Sequence, residues 1–143
     1  MWILDNSVII KWFFLNEPYR DKALEVREAV ALKSNQFAIP TLCYVEFVHV
    51  VCRKSQNNLD FVSHCVDQIV RLGIRSFPET TSIIHEAARL ACTGFSGYDA
   101  TYLALAKDLN GIWLTADQKA VKQDNQKHSI WLGDWTLDIL QIK

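Results

Sequence analysis

The sequence has 143 residues, 50% of them hydrophobic and 22% charged, the balance of a folded globular chain and not of a disordered one. Fifteen Lys and Arg stand against 16 Asp and Glu. That excludes bulk positive charge as a means of coating nucleic acid, while leaving room for a local basic groove. A chain of this length buries roughly 68–70% of its unfolded surface, enough for one domain without disulfides or a structural metal.

Five glycines and three prolines leave long uninterrupted stretches, so a helix-rich chain is expected. Trp2-Ile3-Leu4, ending at Asp5, reads as a short buried strand. Ser7 to Phe14 fits a short helix. Pro18, placed as a first helical turn, opens a second helix running to about Leu32. Phe37-Ala38-Ile39 is a second strand, closed by Pro40, and Thr41 is the expected N-cap of a helix to about Lys54. Leu59 to Leu72 continues in helical spacing until Gly73. Ile74 to Phe77 is a third strand before Pro78. Thr80 to Thr93 reads as helix, Gly94 and Gly97 as a loop, and Tyr98 to Leu109 as a helix rich in Ala and Leu. Ile112-Trp113-Leu114 gives a fourth strand, Asp117 to about Gln126 a charged helix, Ser129 to Leu132 a fifth strand, and Asp134 to Leu140 a last helical turn or two.

Short apolar strands alternating with helices predict a parallel sheet covered on both faces, with any active site at the carboxyl ends of the strands. Cys43, Cys52, Cys65 and Cys92 form no C-x-x-C pair and read as free core thiols of a reducing, cytoplasmic protein. The opening MWILDNSVIIKWFF is broken by Asp5 and Lys11 and lacks the basic start of a signal peptide. No apolar run reaches the roughly 18 residues that a membrane span requires. His49, His64, His85 and His128 are scattered over separate elements, and no phosphate-binding glycine loop or nucleophile elbow is present.

Four acids fall where a site is expected. Asp5 follows the first strand, Asp117 follows the fourth, Asp99 opens the Ala-rich helix, and Glu46 interrupts the apolar face of Leu42-Cys43-Tyr44-Val45-Glu46-Phe47-Val48. Carboxylates converging in one cleft repel one another and are best tolerated around a divalent cation. Ligation by oxygen alone selects hard ions such as Mg²⁺ or Mn²⁺, which serve phosphoryl chemistry. Each acid also has an ordinary structural reading. Asp5 and Asp117 are plausible helix caps, Asp99 completes a capping box with Ser96, and Glu46 fits a solvated stripe with His49 and Arg53.

The same residues carry a resemblance. ILDNSVIIKWF, IPTLCYVEF, YDATYLALA and WLTADQKAV, in that order and spacing, resemble the four motifs of the PIN-domain nucleases, most closely the VapC-like toxins of bacterial and archaeal toxin–antitoxin pairs. The resemblance covers essentially the whole chain and implies a single PIN-like domain over residues 1–143. Its fold would be a three-layer α/β/α sandwich around a short, mostly parallel sheet of about five strands. It implies that Asp5, Glu46, Asp99 and Asp117 are the catalytic, metal-binding quartet, with Ser7 and Thr115 in support. Asn6 stands beside them where the family more often carries Thr or Ala. The implied activity is Mg²⁺- or Mn²⁺-dependent endoribonuclease, in which a metal-activated water cuts the phosphodiester to leave a 5′-phosphate and a 3′-hydroxyl. Lys119, Lys122, Lys127, Arg53 and Lys54 are the candidate contacts to RNA phosphate. The implied partners are an antitoxin protein and a second copy of the chain. A catalytically silent PIN-fold module that binds RNA or protein stays open as an alternative. A phosphoacceptor domain fits less well, because the first strand lacks an adjacent acidic pair.

Overall fold

A computed structural model describes residues 1–138 of the chain. Five parallel strands form one sheet: β1 (Trp2–Leu4), β2 (Phe37–Pro40), β3 (Arg75–Phe77), β4 (Ile112–Thr115) and β5 (Ser129–Trp131), in the spatial order β3-β2-β1-β4-β5. The central register pairs Trp2 with Phe37 on one side and with Ile112 on the other. Consecutive residues Ile3 and Leu4, Phe37 to Ile39, and Trp113 and Leu114 are all fully buried. Neighbours in a strand point to opposite faces, so helices cover the sheet on both sides, giving the expected three layers.

Among the described residues seven α-helices do the covering: α1 (Asn6–Ile9), α2 (Arg20–Leu32), α3 (Leu42–Lys54), α4 (Leu59–Arg71), α5 (Thr81–Ala91), α6 (Gly97–Asp108) and α7 (Gln118–Gln123). α6 lies across β1, β2 and β4 with α5 packed against it. Its Ala100 and its run from Tyr102 to Ala106 are buried nearly all round, as a helix at the centre of a fold must be. Trp12, Trp113 and Trp135 belong to the core, and Trp12 Nε1 donates to the Ala23 carbonyl at 2.8 Å.

Several boundaries differ from the sequence reading. The first helix is one α-turn that tightens into a 3₁₀ turn over Ile10–Trp12. The second helix starts at Arg20, two residues beyond Pro18, because Tyr19 takes a left-handed φ of 57°. Thr41 does not cap α3; its backbone is helical, and its hydroxyl donates to Glu79 Oε2 at 2.6 Å while Leu42 N donates to Glu79 Oε1 at 3.0 Å. The helix after β4 stops at Gln123, and the chain after β5 forms a 3₁₀ turn at Leu132–Asp134. The end of the predicted last helical segment, at residues 139–140, lies outside the described residues. The four cysteines are free, but Cys92 is exposed and so not part of the core.

Strand order reverses between β1 and β4: the chain leaves β1 toward β2 and β3, then returns to β4 on its other side. In open parallel sheets this switch point is where a crevice opens beyond the strand ends. Asp5 is the first residue past β1, Thr115 is the last of β4, and Asp117 lies two residues beyond it.

Candidate metal centre

Asp5 is the best fixed of the four acids. Its backbone N–H continues the sheet to the Leu114 carbonyl at 3.0 Å, and it caps α1, with Oδ1 accepting from Ser7 N at 2.7 Å. Oδ2 accepts from the indole Nε1 of Trp113 at 2.9 Å. The residue is only 7% exposed, and burial pushes its carboxyl up, with bonds from Ser7 and Thr115 opposing and the Asp99 charge adding to the rise.

Glu46 projects from α3, and its Oε2 accepts from the Tyr102 hydroxyl at 2.6 Å. It does not pair with His49 or Arg53, so the solvated-stripe reading fails. Burial, partly countered by the Tyr102 bond and reinforced by Asp5 and Asp99, lifts its pKa to about 7. Asp99 sits in the first turn of α6 in the capping box foreseen for it: Ser96 Oγ accepts from Asp99 N at 3.1 Å and donates to Asp99 Oδ2 at 2.8 Å. Burial again raises its carboxyl, with Asp117 adding repulsion. Asp117 is exposed and caps α7, with Oδ1 accepting from Lys119 N and Ala120 N. Thus Asp5, Glu46 and Asp99 each sense another's charge, and Asp117 joins through Asp99.

The two supporting hydroxyls tie the strand ends together. Ser7 Oγ lies 3.4 Å from Thr115 Oγ1 and accepts from Ala116 N at 3.0 Å, while Thr115 Oγ1 accepts from Asp117 N at 3.1 Å. Asn6 is buried, and its Oδ1 has no hydrogen-bond partner among the described residues. A cleft of about 320 Å³ opens here, lined by Asp5, Asn6, Ser7, Lys11, Glu17 and Glu46 with Ile10 and Val50. Asp99 and Asp117 stand outside that lining.

Among the described residues no three His, Cys, Asp or Glu side chains gather into a ready-made metal cage. The donor set still fits a hard ion: it is all oxygen, and Mg²⁺ keeps several waters and is held through one or two carboxylates plus substrate phosphate. The candidate phosphate contacts divide. Lys119, Lys122 and Lys127 are exposed beyond the fourth motif. Arg53 and Lys54 line an adjoining groove with His49 and Val50, the last shared with the acid cleft, and Lys54 is already paired to Glu17.

Four partners were missed from sequence: Trp113 and Tyr102, which hold Asp5 and Glu46, and the cleft-lining Lys11 and Glu17. Only Tyr102 left a trace there, as a hydroxyl in an otherwise apolar helix, where burial demands a partner.

The PIN domain pattern matches residues 2–125. The chain belongs to the PIN-domain family. No curated protein sequence matches it. Solved structures with the same PIN fold include PAE2754 from Pyrobaculum aerophilum (18% identity, TM-score 0.68, covering 92% of this chain and 89% of that one). The Mycobacterium tuberculosis toxin VapC20, a sarcin-ricin loop cleaving toxin, aligns at 12% identity and TM-score 0.70 over 87% of this chain and 95% of its own. A toxin–antitoxin complex from Klebsiella pneumoniae aligns at 16% identity and TM-score 0.66 over 92% and 98%. At these identities the likeness is one of fold.

Proposed function

We propose that this PIN domain is a Mg²⁺- or Mn²⁺-dependent endoribonuclease and the toxin of a toxin–antitoxin pair. The observation that carries the reading is the set of three buried or half-buried carboxyls, Asp5, Glu46 and Asp99, at the switch point of a parallel sheet, each raised by burial and by a neighbour's charge. Such an arrangement costs free energy until a cation enters, and perturbed groups of this kind cluster at functional sites. Asp5 and Glu46 would hold the ion from the cleft wall, Asp99 and Asp117 from its edge. When bound, the ion supplies charge neutralisation and lowers the pKa of water. The protein's own part is positional: Ser7 and Thr115 lock the β1 and β4 ends, and Trp113 and Tyr102 fix two carboxylates by donating to them. The VapC20 toxin and the toxin–antitoxin complex among the fold neighbours support RNA as substrate and an antitoxin as partner.

The missing cage favours one alternative, a PIN module that binds RNA or protein without cutting. Incubating purified protein with RNA in Mn²⁺ and in EDTA separates the two. Cleavage in Mn²⁺ that EDTA abolishes is expected; no cleavage under any divalent ion, after removal of co-purified protein, gives the binding module.

We further infer a homodimer or an antitoxin-covered face, in a cytoplasmic setting. No described helix is long and apolar enough to cross a membrane. α3 and α4 expose Val45, Val48, Leu59 and Val70, with Val45 74% exposed, more apolar surface than a lone chain leaves uncovered without use. Val45→Glu is expected to shift light-scattering mass to the 16.4 kDa monomer; a wild type already monomeric and free of antitoxin counts against both.

A further inference from the structure

Among the described residues, Lys11 is the one cation in the lining of the acid cleft. Its side chain is 9% exposed, and its Nζ has a single partner among the described residues, Glu17 Oε2 at 3.5 Å, the long limit of a hydrogen bond. The other Glu17 oxygen is taken by Lys54, and the Lys54 bond, with lesser help from Lys11, holds the Glu17 carboxyl below its usual range. An ammonium has three N–H donors, and Glu17 engages one of them. An ammonium buried with one long pair gives the fold little that an apolar side chain of similar volume would not. Lys11 follows Ser7 by four residues, so the α1 and 3₁₀ segment that carries Asp5's cap also presents this charge to the cleft.

A phosphodiester entering the cleft is an anion facing Asp5 and Glu46. The acids' share of that repulsion would be met by a divalent ion; a fixed positive group in the same lining adds to it, and a lysine acts as a point charge on phosphate. We propose that Lys11 binds a substrate phosphate, its ammonium donating to a non-bridging oxygen of RNA held in the cleft while Glu17 fixes the ammonium in place. The inference rests on the nuclease reading for the identity of the anion, but its deciding measurement reads binding, which does not require cleavage.

The probe is a short, labelled single-stranded RNA, followed by fluorescence anisotropy with Ca²⁺ replacing Mg²⁺ over roughly 50 to 200 mM salt. Lys11→Met should reduce the slope of log K against log salt by about 0.7, the share of one phosphate contact on a single strand. Lys11→Arg and the remote, exposed Lys33→Gln should keep the wild-type slope. In Mn²⁺ the Met variant should raise KM about tenfold or more, as the loss of a charged hydrogen bond does, with Mn²⁺ affinity not weakened and the thermal midpoint unchanged. An unaltered slope overturns the proposal. So does a Met variant that melts much lower or fails to fold, because Lys11 would then serve only to dock Glu17. Wild type that cuts RNA while Lys11→Met keeps its slope refutes this inference alone. Wild type that cuts no RNA with any divalent ion refutes the nuclease reading, and the slope comparison still decides Lys11.

Discussion

Replacing Asp99 with Asn separates chemistry from folding, because the structure keeps nearly every contact of the side chain. The cap that Ser96 Oγ gives to the backbone N–H of residue 99 does not involve the carboxylate, and an Asn oxygen can still accept from Ser96 Oγ. The fold therefore loses the difference between a charged and a neutral acceptor, about 1 kcal/mol, and a negative charge in the first turn of α6, about 0.3–1 kcal/mol. Against that loss it gains relief from burial of the charge and from repulsion by Asp117, the two effects that raise this carboxyl. The net change should stay below about 1 kcal/mol, or a few degrees in thermal midpoint for a domain of this size. On the proposed function, in contrast, the site loses one carboxylate ligand for a hard ion. Cleavage of RNA in Mn²⁺ should fall at least about 100-fold, beyond the 10–100-fold typical of losing a ligand's supporting partner. A fluorogenic RNA assay beside a thermal melt reads both quantities. A variant that cuts at the wild-type rate refutes the carboxylate–metal reasoning, and one that melts more than about 10 °C lower, several kcal/mol on this scale, shows Asp99 to be chiefly structural.

Trp113→Phe deletes the donor to Asp5 Oδ2 and leaves a small void in the core, so urea unfolding should show a loss of about 2–4 kcal/mol; a loss near zero would mean that the indole bond does not hold Asp5. Glu46 carries a pKa of about 7, and a metal must displace its proton. Going from about pH 8 to about pH 6 takes it from roughly one-tenth to nine-tenths protonated, so Mn²⁺ affinity by calorimetry should drop about tenfold, and Glu46→Gln should flatten that dependence. The sign for folding is the reverse. Glu46 is raised above its unfolded value, so the metal-free fold gains stability as pH falls through about 7, and Asp5 and Asp99, also raised, add in the same direction. Glu86, lowered to about 2 by the Arg89 bond and by Lys107, loses its contribution as pH falls below about 4.5. The urea midpoint of metal-free protein should therefore peak near about pH 5, and a midpoint rising steadily to pH 8 would contradict the shifts. Gly111→Ala would place a Cβ 2.4 Å from the Met1 carbonyl oxygen, which also accepts from Ile112 N. Since backbone cannot yield as a side chain can, it should cost about 1–3 kcal/mol despite the entropy gained; a neutral effect would show that the β1 start moves freely.

The strands were legible because each is a short apolar run bounded by Asp, Pro or Gly, a signal contained in a few adjacent residues. What local sequence could not supply were ends set from a distance. Tyr19 adopts its left-handed turn while its ring packs edge-on against Trp131 at 5.0 Å, a contact across more than a hundred residues, and α2 therefore starts late. Thr41 has the chemistry of a cap, but the carboxylate of Glu79, 38 residues on, takes the α3 terminus and uses the Thr41 hydroxyl as a further donor. Where the cap lies next to its helix, as with Asn58, Thr80, Ser96 and Asp117, the local rule and the structure agree.

The acids were legible for the same local reason, and their partners were not. Trp113 in a buried strand and Tyr102 in a buried helix both read as core, and both are core: the rings stack with centroids 6.4 Å apart and planes 15° from parallel. Each nevertheless turns its one polar atom to a carboxylate, the indole to Asp5 and the phenol to Glu46. Two acids from distant parts of the chain are thus referenced to a single rigid aromatic layer, which sets their separation more firmly than either backbone segment would alone. The same layer desolvates them, so the geometry that positions the pair also raises its cost while it is charged and without a cation. Neither effect follows from any one residue's type; both follow from β1 and β4 being neighbours with α6 lying across them.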